Sequence, residues 1–389
     1  MKRFVFVLLF SLFLFLPDSF SQIGMPSTKH NFQLEARMHY GFFFQHHFEM
    51  KRFSAHFPAY EISLFRATYG KNNWETVYRY PLMGVAVYYS DLGGFEEIGS
   101  VYAVYPFVNL SLFGKTKNQL SFRFGLGIGY LTNHFDAKTN YRNFAIGSHI
   151  NAAASIYFDY RRAVTKRLTF FVSGGLTHFS NGSTKTPNNG INIISVSGGA
   201  SYFLRNPNRY LEKKILPELY KFEFDGKQWF AIECSFLYGY KDMTQEYGTA
   251  HPVYNLAIDV SKQVSMVGKL GIGFDLVLDY SDETVLKYRY DTFIKKDIEL
   301  LKPGVNVLYE MLLGRVSFLF NVGFHVWRDD LDLSEGIFYQ KLNVKYLITN
   351  KLFLKVGLTT HLARADYIGY GLGYRFDIKY YKSWKNRRK

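Results

Sequence analysis

Two side chains suited to acyl-transfer chemistry stand two residues apart in THFSNGSTKTPNNGIN, residues 177–192: His178 and Ser180. A serine hydroxyl is a weak nucleophile until a base within hydrogen-bond reach takes its proton, and an imidazole base needs a third group to orient it. Residues i and i+2 of a β-strand project from one face, so a strand would present both groups together, with twist or a bulge closing the gap. The segment that follows, NGSTKTPNNG, can turn backbone N–H groups or an asparagine amide toward a developing oxyanion. Asn192 then opens the next alternating segment, sharing a face with Ile194, Val196, Ala200 and Tyr202. A serine, an imidazole and an amide are thereby offered to one surface. Taken alone, His-x-Ser is also what an interface histidine before a loop serine looks like, so its meaning depends on what that surface touches.

The strand carrying the pair places Leu168, Phe170, Val172, Gly174, Leu176, His178 and Ser180 on one face, and Thr169, Phe171, Ser173, Gly175, Thr177 and Phe179 on the other. In QLSFRFGLGIGYL, Leu120, Phe122, Phe124, Leu126, Ile128 and Tyr130 oppose Ser121, Arg123 and three glycines. In AIGSHINAAASIYFDY, Ile146, Ile150, Ile156 and Phe158 oppose His149, Asn151, Ser155 and Asp159. Strands this long, small or polar on one face, apolar on the other and aromatic at their ends, form transmembrane antiparallel β-barrels. Only closure lets strands cross a bilayer without unsatisfied edges. Composition agrees: 38 Phe and 31 Tyr lie within 389 residues. His178 and Ser180 would then face lipid near the outer end of the seventh strand.

About eight such strands lie between residues 30 and 204, and about eight more between 228 and 381. GKTKN near 114–117, VTKR (164–167), KQVS (262–265) and ITNK (348–351) read as tight periplasmic turns, and 131–145, 181–189 and 282–303 as long outer loops. The halves look alike: NQLSFRFGLGIGYL parallels GRVSFLFNVGFHVW (314–327), and VTKRLTFFVSGGLTH parallels ITNKLFLKVGLTTH (348–361), as duplication would produce. Small inward residues such as Gly125, Gly127, Ser173 and Gly175 favour two tandem eight-stranded units with filled lumens, one sixteen-stranded barrel being the alternative. The expected division is a cleaved signal peptide at 1–21, a first barrel at 22–204, a charged periplasmic linker at 205–227 and a second barrel at 228–389. In the second unit, Leu362 and Arg364 fall where His178 and Ser180 stand, so that unit is expected to lack catalytic residues. Cys234 is the one cysteine, which excludes an intramolecular disulfide framework. Net charge is +15, which suits anionic surfaces; no nucleic-acid module, metal-ligand cluster or cofactor motif is present in the sequence.

The stretch HFSNGSTKTPNNGIN, on the last hairpin of an eight-stranded unit, resembles the outer-membrane lipid A 3-O-deacylase (PagL) and acyloxyacyl hydrolase family. The resemblance runs through His178, Ser180, Asn181, Pro187, Asn188 and Gly190. It implies Ser180 as nucleophile, His178 as general base, and Asn181, Gly182 and Asn188 as candidates for holding the oxyanion. It also implies a serine esterase in the outer membrane that removes an ester-linked acyl chain from lipid A or a related outer-leaflet glycolipid, without metal or cofactor. At the position where the family carries an acidic residue, this chain has Asn192, an amide that can orient an imidazole but not stabilise imidazolium by charge. A non-catalytic porin-like or scaffold barrel with a degenerate motif is the alternative function, and phospholipid a further substrate class.

Overall fold

The computed structural model describes residues 32–45, 47–68, 72–114, 117–205, 227–243, 250–290, 300–327, 336–362 and 364–381. The expected signal peptide and nearly all of the expected linker lie outside these residues. Sixteen strands form two closed antiparallel barrels of eight strands each, so the tandem arrangement holds and the sixteen-stranded alternative does not. Among the described residues no helix is long and apolar enough to cross a membrane. Crossing falls to the strands.

The first barrel comprises β1 (Phe32–Phe43), β2 (His56–Ala67), β3 (Leu82–Ser90), β4 (Val101–Gly114), β5 (Asn118–Leu131), β6 (Ile150–Ala163), β7 (Leu168–Ser180) and β8 (Ile191–Phe203), closed by β1–β8 pairing. Alternation sets which side chains meet lipid. On β1, Leu34, Met38, Tyr40 and Phe42 are exposed, whereas Gln33, Glu35, Arg37 and His39 are buried. The inward charges pair in the lumen. Arg37 grips Asp159 with both terminal nitrogens, at 3.1 and 3.0 Å. Arg123 reaches Glu61 at 2.6 Å and Glu35 at 3.1 Å, and Arg161 reaches Glu35 at 2.7 Å. Tyr105 donates its hydroxyl to Glu61.

Inward glycines make room for the rings between these ions. A Cβ on Gly175 would lie 2.6 Å from the Tyr157 ring, and one on Gly125 would lie 2.7 Å from Tyr105. The interior is a filled polar core, in which each charge depends on its partners. Asp159→Ala would take away the bidentate partner of the Arg37 guanidinium and leave it Glu35 at 3.2 Å, so a loss of about 3 kcal/mol is expected, readable as a lower urea midpoint for unfolding from lipid vesicles.

The second barrel comprises β9 (Lys227–Lys241), β10 (His251–Ser265), β11 (Gly268–Asp279), β12 (Leu301–Leu313), β13 (Val316–His325), β14 (Phe338–Leu347), β15 (Leu352–His361) and β16 (Arg364–Tyr381), closed by β9–β16 pairing. Its lumen uses lysine where the first uses arginine: Lys345 bridges Glu233 at 2.7 Å and Glu310 at 2.5 Å, and Lys341 meets Asp275 at 2.6 Å. The segments that looked alike in sequence occupy β5 and β13, the fifth strand of each barrel, and β7 and β15, the seventh. Cys234 is a free, half-buried thiol on β9.

Three expectations shift. KQVS is not a turn: β10 runs through it with a bulge between Gln263 and Ser265, and the turn falls at residues 266–267. Ile146 does not face lipid, because β6 begins only at Ile150, and Ile146 is fully buried within the preceding loop. The β2–β3 connection, at the end of the barrel that carries the tight turns, is long and holds a short helix, Asn73–Val77.

Candidate active site

The site lies at the end of β7 and the start of β8, on the outer wall of the first barrel. Along β7, Thr177 and Phe179 are fully buried in the interior, while His178 and Ser180 are half-buried on the face that carries exposed Phe170 and Val172. The period of two fixes this: a strand that points Phe179 inward points both neighbours outward. Across the ladder to β6, Ser180 faces Ala152 and His178 faces Ala154, so small side chains flank both groups.

On the other side His178 is in register with Asn192, which alternates with buried Ile191 and Ile193 and so shares the outer face. Asn192 Oδ1 lies 2.6 Å from His178 Nδ1. An amide oxygen only accepts, so Nδ1 carries the proton and Nε2 is left as the basic nitrogen. Gly190 comes just before β8 in the left-handed region at φ +74°, and a Cβ there would sit 3.1 Å from His178 Cε1. Glycine thus provides both the turn and the space for the imidazole.

The β7–β8 connection folds back over the serine. Ser180 Oγ lies 3.0 Å from Asn188 Nδ2 and 3.1 Å from Asn188 Oδ1, so the amide faces the hydroxyl. Asn188 Oδ1 also accepts the backbone N–H of Asn181 at 3.0 Å. Gly182 follows in the left-handed region, at φ +61°. Of the residues named from the sequence, the fold brings His178 to Asn192, and Ser180 to Asn188, whose Oδ1 also accepts the Asn181 N–H.

The supporting loop was missed. The β5–β6 connection braces the hairpin: Asn181 Nδ2 donates to Ser148 Oγ at 3.0 Å, Gly190 N to Ala145 O at 3.0 Å, and Asn189 Nδ2 to Phe144 O at 3.0 Å. No periodic signal marks such contacts, because both partners lie in irregular backbone.

Closed barrels with apolar outer walls and filled polar lumens are outer-membrane proteins, and this one carries hydrolytic residue types on its lipid side. Residues 59–201 match the lipid A 3-O-deacylase (PagL) family, and residues 230–379 match the C-terminal domain of acyloxyacyl hydrolases. The chain belongs to this lipid A 3-O-deacylase and acyloxyacyl hydrolase family, and is an outer-membrane lipid A deacylase. The C-terminal match coincides with the second barrel.

No curated protein matches the chain. Among solved structures, OccAB4 of Acinetobacter baumannii is 10% identical, with 91% of this chain and 100% of that one covered and a TM-score of 0.23. A porin mutant of Rhodopseudomonas blastica is 8% identical, with 89% and 100% covered and a TM-score of 0.19. The ferric enterobactin receptor PfeA of Pseudomonas aeruginosa, also a mutant, is 10% identical, with 85% and 53% covered and a TM-score of 0.23.

Proposed function

We propose that the first barrel is a serine esterase in which Ser180 is the nucleophile and His178 the general base, acting on an ester-linked acyl chain of lipid A. The observation that carries this reading is the 2.6 Å contact between Asn192 Oδ1 and His178 Nδ1, which assigns the proton to Nδ1 and makes Nε2 the basic nitrogen. In the first half-reaction Nε2 takes the Ser180 proton as Oγ attacks the ester carbonyl. The Asn188 amide N–H, already at Ser180 Oγ, supports the oxyanion, with the Gly182 N–H, and the Asn181 N–H once released from Asn188 Oδ1, as further donors. Collapse expels the sugar hydroxyl, protonated by His178. Water, deprotonated by the same imidazole, then releases the fatty acid. The outward placement of both groups means that an acyl chain need not leave the bilayer to reach them.

The second barrel is read as the non-catalytic unit. His361 is buried on the lumen side with Phe353 and Lys355, and Leu362 is an exposed turn residue at φ +54° just before β16 starts at Arg364. Export by a cleaved signal peptide at residues 1–21 completes the proposal.

A long-chain sulfonyl fluoride tests the nucleophile. Intact protein in detergent should take up one label, and peptide mapping should place it on Ser180. Stoichiometric labelling at another serine would remove Ser180 from this role. The amide at Asn192 leads to a second expectation: it orients the imidazole without stabilising imidazolium, and a carboxylate would do both. Asn192→Asp should therefore raise kcat roughly 10-fold or more, measured as fatty acid released from purified lipid A. An unchanged or lower kcat would show that orientation alone limits the wild-type enzyme.

A further inference from the structure

We propose that the groove above the first barrel, between the β3–β4 and β5–β6 connections, is a saccharide-binding subsite that holds a sugar ring of the glycolipid beside the esterase site. The cavity has a volume of about 1020 Å³ and is lined by Glu96, His134, Asp136, Tyr141, Arg142 and His149 among others. That is the size of a small-molecule site, which typically runs to ~1,000 Å³. The assignment to the esterase rests on the reading of Ser180 above; the binding itself does not.

The polar groups are already set for neutral hydroxyls. His134 Nδ1 lies 2.6 Å from Phe135 O, and His149 Nδ1 lies 2.8 Å from Leu131 O. Carbonyl oxygens only accept, so both Nδ1 atoms carry protons and both Nε2 atoms are acceptors for sugar O–H groups. The two rings meet edge to face with centroids 4.2 Å apart. Asp136 Oδ1 accepts the backbone N–H groups of Thr139 at 2.8 Å and Lys138 at 2.9 Å, and the Thr139 hydroxyl at 2.9 Å. Those donors hold its carboxyl below the usual carboxylate range, with the Thr139 N–H the largest influence. Tyr141 is exposed, with the Arg142 guanidinium 5.6 Å from its ring centroid, an aromatic and planar cationic pair against which a pyranose can stack.

Charge argues against phosphate as the occupant. Glu97 is matched by Arg52 at 2.6 Å, which leaves the carboxylates of Glu96 and Asp136 in a groove lined by one guanidinium. A doubly charged phosphate would meet like charge there, whereas an uncharged hydroxylated ring would meet acceptors and one donor fork. The groove also adjoins the chemistry. His149 follows Ser148, whose Oγ accepts from Asn181 Nδ2 at 3.0 Å, and Asn181 follows Ser180. One connection thus lines the groove and braces the catalytic hairpin.

Saturation-transfer NMR on the full chain in detergent micelles tests this, with a soluble amino-sugar disaccharide bearing neither acyl chain nor phosphate as the probe. The protein should saturate the sugar ring protons, and Tyr141→Ala and Arg142→Ala should each weaken binding about 10-fold, roughly 1.4 kcal/mol, with heat-modifiable gel mobility unchanged. The phosphorylated disaccharide should bind no tighter. No transfer to the wild type, equal transfer in both variants, or tighter binding of the phosphorylated probe would each overturn the saccharide assignment. Binding of the sugar by a protein that takes no label at Ser180 would uphold the groove and reject the esterase reading; labelling at Ser180 without sugar binding would do the reverse.

Discussion

Cells producing the Ser180→Ala chain are expected to carry fully acylated lipid A, whereas cells producing the wild type carry lipid A lighter by one acyl group. The substitution removes one oxygen from a half-buried position flanked by Ala152 and Asn188, neither of which needs the hydroxyl for the barrel to close. Folding should persist, and the loss should be chemical. The rate of deacylation should fall by on the order of 10⁴-fold or more if Ser180 Oγ is the attacking atom. His178→Ala should lose a similar factor, since the hydroxyl without a base is unactivated. The double variant should be little worse than either single one, as residues acting as one unit are not additive. Mass spectrometry of lipid A from the four strains reads all of this. Identical acylation in wild type and Ser180→Ala, with both proteins heat-modifiable and equally abundant, would remove the serine mechanism while leaving the barrel fold untouched.

How far the sequence speaks is set by where periodicity reaches. On β7 the alternation of Phe171, Thr177 and Phe179 against Val172, His178 and Ser180 was enough to point the pair toward lipid, because a sealed wall admits only two faces. The same parity put Asn192 on the outer face of β8. Its register against His178 was not legible, because it depends on how many residues the intervening connection spends in left-handed turns at Gly182, Ser183 and Gly190.

Irregular backbone also explains the misses. Ile146 continued an alternating pattern on paper, yet the chain between Asn143 and Ser148 is a braced loop, in which Asn143 Oδ1 accepts the N–H groups of Ala145 and Ile146. Bulges act likewise: at Gln263 and Ser265 one lets β10 absorb what reads as a turn. In the lumen, the residue types were visible and the partners were not. Arg37, Glu61, Arg123 and Asp159 come from four strands far apart in sequence, and only closure of the cylinder brings them together.

Asn188 separates two roles that a single contact list would merge. Its Oδ1 accepts the Asn181 N–H and holds the hairpin over the serine, while its Nδ2 lies 3.0 Å from Ser180 Oγ, where an oxyanion would form next to the attacking oxygen. Truncation in Asn188→Ala removes both, and kcat should fall about 10²–10³-fold, the range seen when one oxyanion donor is lost. Asn188→Asp is the sharper experiment. The carboxylate keeps an acceptor for the Asn181 N–H, so the hairpin stays clamped, but it offers no donor and places negative charge beside the developing oxyanion. If the amide stabilises the transition state, Asn188→Asp should be at least as slow as Asn188→Ala, with KM for lipid A little changed, because the defect arises only as charge develops. If the amide merely clamps the loop, Asn188→Asp should recover most of the wild-type rate, and the oxyanion would have to be held by a donor other than the clamped Asn181 N–H, such as the Gly182 N–H. The comparison needs only steady-state rates of fatty acid release from three purified proteins, and its two outcomes point in opposite directions.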